Sequence, residues 1–142
     1  MKFVPVLDYA DATPFLYELL QERPEQARIS HEKMPTREEH EHFVEHHPFR
    51  FWFLLEAEGN FVGAMEVTDR NEIGIAILRR YQGRGYASTA LRAFIEMLRP
   101  LPEIPAVRRG QWLANIAMGN DAGKDFFAKC GFRPVQTTWV LP

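Results

Sequence analysis

A glycine-rich loop, Tyr81-Gln82-Gly83-Arg84-Gly85-Tyr86-Ala87, is the stretch of this sequence whose residue types and spacing best suit phosphate binding. Glycines let a ligand approach the backbone closely and leave main-chain amides uncovered. Residues 72–78, before the loop, are mostly apolar or small, in the pattern of a buried strand. The residues after it fit an amphipathic helix, whose N-terminus attracts phosphate through unpaired N–H groups and its dipole. Strand, loop and helix together predict a cradle for a diphosphate.

The glycine loop (residues 81–87) lacks the marks of two common phosphate-binding motifs. A P-loop would end in Gly-Lys-Ser/Thr, and the loop has no lysine. A dinucleotide fingerprint would need a third glycine where Ser88 stands. The remaining pattern, Gln82-x-x-Gly85-x-Ala87, resembles the coenzyme A loop of the GNAT superfamily of N-acetyltransferases. The simpler interpretation is that Gly83 and Gly85 only shape a tight turn between strand and helix.

A second motif lies near the end of the chain, where Asn120 opens a predicted helix and Gly131-Phe132 closes it. Asparagine is a good N-cap, and glycine is the usual left-handed terminator. With an aromatic residue, Phe127, on the second turn, the segment is similar to the other GNAT signature. Alone it predicts a well-capped helix, but the two motifs stand in the family's order and at its usual separation. The resemblance covers most of the chain and is strongest from Glu72 to Phe132.

The resemblance implies an α/β GNAT fold formed by a single domain, residues 1–142. Its central sheet would be mixed, with about six strands, flanking helices and a splayed parallel pair of strands that binds coenzyme A. The residue patterns predict strands at 3–7, 51–57, 61–67, 72–78, 112–117 and 135–141, and helices that begin at Thr13, Thr36, the glycine loop and Asn120.

The end of the chain departs from the family pattern. Only ten residues follow Phe132, which leaves room for one strand where the family has two. Either the last strand pairs with residues near Leu113, or a second subunit fills the gap. Because an unpaired sheet edge invites such pairing, a homodimer is one of the two arrangements that we expect.

In such a fold the co-substrate would be acetyl-CoA, with its diphosphate on the glycine loop and its pantetheine arm beside the preceding strand. The pantetheine amides would pair with the main chain of residues 75–77, whose side chains could pack in the core at the same time. The resemblance assigns cofactor binding to Ile75, Ala76, Ile77, Gln82, Gly83, Arg84, Gly85, Tyr86, Ala87, Ser88, Asn120 and Phe127.

The usual acid and base of the family are absent. In the GNAT branch that acetylates protein N-termini, a glutamate acts as base and a tyrosine as acid, and Asn115 and Phe127 stand at those positions. An amide does not titrate usefully, and a phenyl ring has no proton to give. Glu72, at the start of the cofactor strand, roughly matches the base of another branch and is our candidate. Glu66 and Asp69 flank the preceding turn as alternatives, and alignment of the reactants could also suffice without a base.

The histidines cluster near the second predicted helix, as His31, His40, His42, His46 and His47. The spacing of His42 and His46 would allow metal binding, but no zinc-protease pattern surrounds them. We therefore expect a solvated polar face and no metal. The resemblance places this helix beside the acceptor, so the histidines, with Phe49, Phe51 and Trp52, could help to shape the acceptor pocket.

Composition argues against several other classes of protein. The net charge of −2 gives no indication of nucleic-acid binding, and no apolar run is long enough to cross a membrane. The single cysteine, Cys130, suits a reducing compartment, so we expect a cytoplasmic protein. The position of Cys130 on the inner side of the last helix predicts core packing rather than a nucleophile.

The sequence thus predicts an N-acetyltransferase that moves an acetyl group from acetyl-CoA to a primary amine of a small molecule or peptide. The amine would attack directly in a ternary complex, without an acyl-enzyme. Two alternatives remain open at this point. One is an acyltransferase that uses a longer acyl-CoA, and the other is a non-catalytic module that binds coenzyme A.

Overall fold

The computed structural model describes residues 1–28 and 33–142, so His31 lies outside the described residues. Along the chain it forms β1 (Lys2–Pro5), α1 (Ala12–Glu22), α2 (Arg37–His46), β2 (Phe51–Ala57), β3 (Asn60–Val67), β4 (Ile73–Ile77), α3 (Tyr86–Met97) and α4 (Asp121–Lys129). Single 3₁₀ turns occur at Val6–Asp8, Glu25–Ala27 and Arg79–Tyr81. None of the helices within these ranges is long and apolar enough to cross a bilayer.

The strands form one antiparallel sheet in the order β1-β2-β3-β4. Among the described residues the sheet therefore has four strands, and the prediction of a mixed sheet with about six strands is wrong. The register places Glu66 of β3 between Trp52 of β2 and Gly74 of β4. Trp52, Glu66 and Gly74 therefore lie side by side across three adjacent strands.

Two predicted strands do not form. Leu113 makes one parallel bridge to Glu72, in which the Ile73 amide donates to the Leu113 carbonyl over 2.8 Å, and the chain then leaves β4. A strand needs a continuous ladder of such bonds, so residues 112–117 remain irregular. Residues 135–141 pair with no strand in the described part of the chain, and Trp139 is 90% exposed. Strand-like segments rich in apolar residues predicted these strands, but such a segment forms a strand only where a neighbouring strand edge is free to pair with it.

Asn71 ties the β3–β4 turn to the segment that follows α3. It is fully buried, and its side-chain amide donates to the carbonyls of Leu101 and Arg109 over 2.9 and 2.8 Å. Its side-chain oxygen accepts from the Leu101 amide at 2.7 Å, and its carbonyl accepts from the Leu113 amide at 2.9 Å. Because the polar groups of the fully buried Asn71 would otherwise lack partners, these bonds fix the path by which residues 112–117 approach β4.

The two faces of the sheet carry separate apolar clusters. On the face covered by α1 and α2, the buried residues are Val6, Ala12, Leu16, Leu19, Val44, Trp52, Leu54, Ala64 and Leu78. On the face covered by α3 and α4, they are Leu55, Val62, Met65, Val67, Ile73, Ala90, Leu91, Phe94 and Phe127. The strand residues alternate between these clusters, as expected for strands that are covered on both sides.

Local turn and cap signals were mostly reliable. The N-cap half of the predicted capping box is confirmed, since Thr36 Oγ1 accepts from the Glu39 amide at 3.1 Å, while the Glu39 carboxylate accepts from the Thr36 hydroxyl at 3.1 Å. The hairpin around Glu58 and Gly59 and the Asn120 cap of α4 are confirmed as well. The predicted start of α1 at Thr13 is wrong: the Asp11 carbonyl already accepts from the Phe15 amide, so the helix begins at Ala12.

The predicted solvated face of histidines is wrong for one member of the group. His40 is 5% exposed and lies between α1 and α2, where its Nε2 is 3.2 Å from the carbonyl oxygen of Thr13. His42 remains exposed on the opposite side of α2. Burial lowers the pKa of His40, while the bond to Thr13 and the charge of Glu41 oppose that shift. The buried ring is therefore held in its neutral form.

We expect His40 to make the protein less stable in acid. A histidine whose pKa is depressed by folding contributes stability above its unfolded pKa of 6.5, and that contribution is lost as the pH falls through the folded value. In His40→Gln, an amide can still donate to the Thr13 carbonyl but does not titrate. The loss of Tm between about pH 7.5 and about pH 5 should be smaller in this variant than in the wild type. The exposed control His42→Gln should keep the wild-type loss, and an equal loss in all three proteins would contradict the assignment.

Candidate active site

The glycine loop forms an open cradle at the N-terminus of α3. Gly83 and Gly85 have φ values of +77° and +80°, a conformation that other residues rarely adopt. A Cβ at Gly83 would meet nothing within 4 Å, and one at Gly85 would meet only Ser88 Oγ at 3.9 Å. No side chain of the described residues caps α3, so the first amides of the helix point toward this empty space without an acceptor. Such a cradle fits a phosphate group.

A cavity of about 680 Å³ opens beside the cradle, between α3 and α4. Its size suits an extended organic ligand. From the predicted cofactor-binding set it is lined by Ile77, Gln82, Gly83, Gly85, Tyr86, Ala87 and Ser88. The further lining residues are Tyr81, Leu91, Arg92, Ile95, Glu96, Phe126, Lys129 and Cys130.

The charged residues of this cavity were missed by the sequence reasoning. Arg92 on α3 and Lys129 on α4 bring positive charge to a space that already offers free amides, while Glu96 adds one negative charge. A helical repeat would have found part of the set, because Ser88, Arg92 and Glu96 follow each other at intervals of four residues on one face of α3. Lys129 comes from a separate helix, so only the fold brings it to the cavity.

The outer edge of β4 is open next to the cavity. The Ile73 amide bonds outward to Leu113, whereas the Leu78 amide bonds inward to Val62, so the main chain of Ile75 and Ile77 points outward. The Ile77 carbonyl accepts a hydrogen bond from Gln82 Nε2 at 2.9 Å, which ties the glycine loop to this edge. The chain after Leu113 does not cover the edge, so a gap remains where a ligand amide could pair.

Other residues of the predicted cofactor set lie outside the cavity lining. The Asn120 side chain accepts from the Gly123 amide at 3.0 Å and caps α4. Phe127 is 8% exposed and packs between Phe126 and Phe132, with ring centroids 5.0 and 5.1 Å away. The side chains of Ile75 and Ala76 pack on opposite faces of the sheet, and Arg84 lies over the ring of Tyr81. These side chains would affect a ligand only indirectly or through main-chain groups.

Two carboxylates lie on the face of the sheet covered by α1 and α2. Glu66 belongs to this face because it follows Ala64 by two residues and stands opposite Trp52. Ile73 packs on the other face, so its neighbour Glu72 lies on the same side as Glu66. Glu72 donates its amide to Thr68 Oγ1 at 3.2 Å and is half-buried. Asp69 is exposed in the turn between these strands.

A cluster of aromatic rings forms around Trp52, the cross-strand neighbour of Glu66 on β2. Trp52 is buried and contacts Phe49 and Phe43, with ring centroids 4.9 and 5.6 Å apart, and the His47 ring lies 5.8 Å away. Three of the residues expected near the acceptor, Trp52, Phe49 and His47, thus come together. Phe51 does not join them, because it packs on the opposite face against Phe94.

Burial raises the pKa of the Glu66 carboxyl above its ordinary value, while the positive charge of Arg23 and the residue's own main chain oppose that shift. The residue as a whole is half-buried, and its carboxyl end is the part that burial affects. A glutamate in such surroundings can accept a proton closer to neutral pH than a solvated one. No group of three or more metal-ligating side chains occurs among residues 1–28 and 33–142.

Comparisons with known proteins identify the family of the chain. A family profile described as Acetyltransferase (GNAT) domain matches residues 2–133. No curated protein matches the sequence significantly. The solved structures that match are identical to this chain at fewer than one quarter of the aligned residues, so their likeness shows a shared fold.

Three solved structures illustrate that likeness. An acetyltransferase from Thermus thermophilus has a TM-score of 0.64 and 22% identity over 95% of this chain and 88% of that chain. A spermidine N-acetyltransferase SpeG chimera from Vibrio cholerae and hSSAT has a TM-score of 0.66 and 20% identity over 96% and 84% of the two chains. The aminoglycoside 6′-N-acetyltransferase AAC(6′)-IG from Acinetobacter haemolyticus has a TM-score of 0.62 and 14% identity over 100% and 97%. Because the family profile spans nearly the whole chain, this protein belongs to the GNAT family of acetyltransferases.

Proposed function

We propose that this protein transfers an acetyl group from acetyl-CoA to a primary amine, by direct attack of the amine within a ternary complex. The observation that carries the proposal is the open cradle at Gly83 and Gly85, joined to a cavity of about 680 Å³ and to the free edge of β4. These three features match the diphosphate and the pantetheine arm of coenzyme A.

In this proposal, different residues around the cavity bind different parts of acetyl-CoA. The amides of residues 83–88 hold the diphosphate, and Arg92 and Lys129 add positive charge beside it. The main chain of Ile75 and Ile77 pairs with the pantetheine amides, and an outward amide of β4 can polarise the thioester carbonyl as its oxygen gains charge. Phe127 and Asn120 support the site through the position of α4.

The acceptor would approach from the other face of the sheet, the face that carries Glu66 and Glu72. We propose Glu72 as a catalytic residue that contacts the acceptor amine. Support comes from its position at the start of β4, beside the point where β4 and residues 112–117 diverge. In the reaction the amine nitrogen bonds to the acetyl carbonyl carbon, the carbon–sulfur bond breaks, the amine loses a proton and the thiolate gains one.

The proposed acceptor belongs to the class of amines. Solved structures with this fold include proteins named for spermidine and for aminoglycosides, both of which carry several amino groups. We therefore propose a small-molecule or peptide amine, and two carboxylates on one face are suited to a cationic acceptor.

An acceptor screen tests the proposed function. The purified protein is incubated with acetyl-CoA and a panel of amines that includes spermidine, an aminoglycoside and peptides with a free N-terminus or lysine. We expect release of coenzyme A thiol and a product heavier by one acetyl group for at least one class. Binding of acetyl-CoA without release for any amine would instead support a non-catalytic module. Faster turnover with hexanoyl-CoA would identify an acyltransferase for longer chains.

A further inference from the structure

We propose that Glu66 is the group that accepts the proton of the acceptor ammonium, while Glu72 binds that ammonium as it enters from the α1/α2 face. This inference rests on the proposed function and assigns the proton acceptor within the same site. It moves the role of base from Glu72, at the start of the cofactor strand, to Glu66 on the neighbouring strand β3.

The first argument is the position of Glu66 in the sheet. It stands directly opposite Gly74 of β4, and Gly74 is the neighbour of Ile75, whose main chain faces the gap for the pantetheine arm. A carboxylate above Gly74 therefore lies across β4 from the free edge, on the side from which an acceptor can arrive. Glu72 lies two residues from Gly74 on the same face, closer to the turn.

The second argument is that β4 leaves room for this carboxylate. A Cβ at Gly74 would overlap Glu66 Oε1 and would come within 2.7 Å of the carboxyl carbon. The absence of a side chain at Gly74 thus leaves the space that the Glu66 carboxylate occupies, and the glycine is not needed for its own backbone, which does not have a positive φ. Trp52 closes the opposite side of the carboxylate as a buried wall.

The third argument is that the carboxylate is not used by the protein itself. Among the described residues, Glu66 takes part in no ion pair and receives no side-chain hydrogen bond. The charge of Arg23 and the residue's own main chain favour the ionised carboxylate, but no cation of residues 1–28 and 33–142 forms a direct ion pair with it. An ammonium group from the acceptor would supply that direct partner.

The charged groups around Glu66 come from every element beside it. Arg23 lies at the end of α1, Glu72 lies on the same sheet face, and the His47 ring at the end of α2 contacts the Trp52 ring edge to face. Arg23 favours the ionised carboxylate, whereas burial favours its protonated form. These influences leave Glu66 with a raised pKa, which suits a group that must take a proton from an ammonium.

The proton transfer precedes the transfer of the acetyl group. The acceptor ammonium, held by both carboxylates, gives one proton to Glu66 and becomes a neutral amine. The amine nitrogen then forms a bond to the acetyl carbonyl carbon, and the carbon–sulfur bond breaks to give the thiolate. The nitrogen loses its second proton as the thiolate gains one, and Glu66 returns its proton to solvent.

Glu66→Gln tests this assignment with the best amine from the acceptor screen. We expect kcat/KM to fall by roughly two to four orders of magnitude, as for a lost general base, with the affinity for acetyl-CoA unchanged. The acidic limb of the pH profile should disappear. Glu72→Gln should raise the KM for the amine by roughly tenfold and keep the acidic limb, because it removes an attraction and not the base. Glu56→Gln, which alters a strand carboxylate paired with Lys2, is the control and should behave as the wild type.

Gly74→Ala provides a second variant that displaces the carboxylate without removing it. The overlapping atoms are the end of a flexible side chain, so we expect the fold to form and Glu66 to swing away. The expected result is a fall in kcat of at least roughly tenfold with acetyl-CoA affinity preserved. In the double variant Gly74→Ala/Glu66→Gln the alanine should cause little further loss, since the group that it displaces is already inactive.

A stability measurement separates this role from a structural one. A carboxyl with a raised pKa stabilises the fold fully below its unfolded pKa of 4.5, and this contribution is lost as the pH rises through the folded value. At about pH 7 the Tm of Glu66→Gln should therefore equal or exceed that of the wild type. The inference is overturned if Glu66→Gln keeps wild-type kcat/KM or keeps the acidic limb, or if loss of activity coincides with loss of Tm. Absence of turnover in the wild type with every amine would contradict the proposed function itself.

Discussion

Gly85→Val is expected to abolish measurable binding of acetyl-CoA, with a loss of affinity of at least about 100-fold, or about 2.7 kcal/mol. Gly85 has a φ of +80°, and a β-branched residue in that conformation is strained. Only Ser88 Oγ lies within 4 Å of the position of an added Cβ, so the valine methyl groups would occupy the space proposed for the diphosphate. Isothermal titration with acetyl-CoA measures the effect.

Gly59 offers a matched control for the backbone strain. It has a φ of +79° in the β2–β3 turn, and nothing lies within 4 Å of the position that an added Cβ would take. Gly59→Ala and Gly85→Ala should each lose roughly 1–2 kcal/mol of stability, because both place alanine in the left-handed region. Only the Gly85 variant should lose affinity for acetyl-CoA. Equal affinities for Gly85→Val and the wild type would show that the loop does not hold the diphosphate.

The features that the sequence predicted correctly are those that depend on a few neighbouring residues. The capping box at Thr36, the terminator Gly131 and the two glycines of the loop each depend on one turn of backbone. Their residue types have a local physical cause, so they predict local geometry without knowledge of the rest of the fold. The cradle followed because it combines such a turn with the start of a helix.

Strand pairing is the part of the fold that sequence could not settle. Residues 112–117 and 135–141 have strand-like compositions, yet neither forms a continuous ladder of hydrogen bonds with another strand. What decides this is the path imposed by Asn71, whose hydrogen bonds reach Leu101, Arg109 and Leu113, all distant from it in the sequence. A single buried asparagine gives no periodic signal, so the divergence from β4 was not predictable.

The candidate site shows the same division between local and distant causes. Glu72 was selected because it stands at the start of the cofactor strand and roughly matches the base of another GNAT branch, whereas Glu66 was an alternative that flanks the preceding turn. The relation of Glu66 to Gly74 and Trp52 is a cross-strand relation, and it needs the register of three strands. Likewise, the approach of Lys129 to the glycine loop depends on the packing of α4 beside α3.

Phe127→Ala should lower the free energy of unfolding by about 3–5 kcal/mol, the loss typical of removing a buried phenylalanine. Phe127 is 8% exposed and packs with Phe126 and Phe132 under the sheet, while it does not line the cavity. Any weaker binding of acetyl-CoA should follow from displacement of α4. Because a phenyl ring carries no proton, the pH dependence of turnover should not shift. Chemical denaturation and a pH–rate profile provide the two measurements.

Phe126→Ala is the matched variant on the same helix turn. Phe126 is half-buried and lines the cavity, so its loss should cost less stability than that of Phe127. It should instead weaken acetyl-CoA binding by roughly tenfold, equal to about 1.4 kcal/mol, through lost apolar contact. The reverse result, in which Phe127→Ala binds acetyl-CoA more weakly than Phe126→Ala and is the more stable of the two, would indicate that the ligand lies on the other side of α4. A shifted pH profile in Phe127→Ala would show that this position affects proton transfer after all.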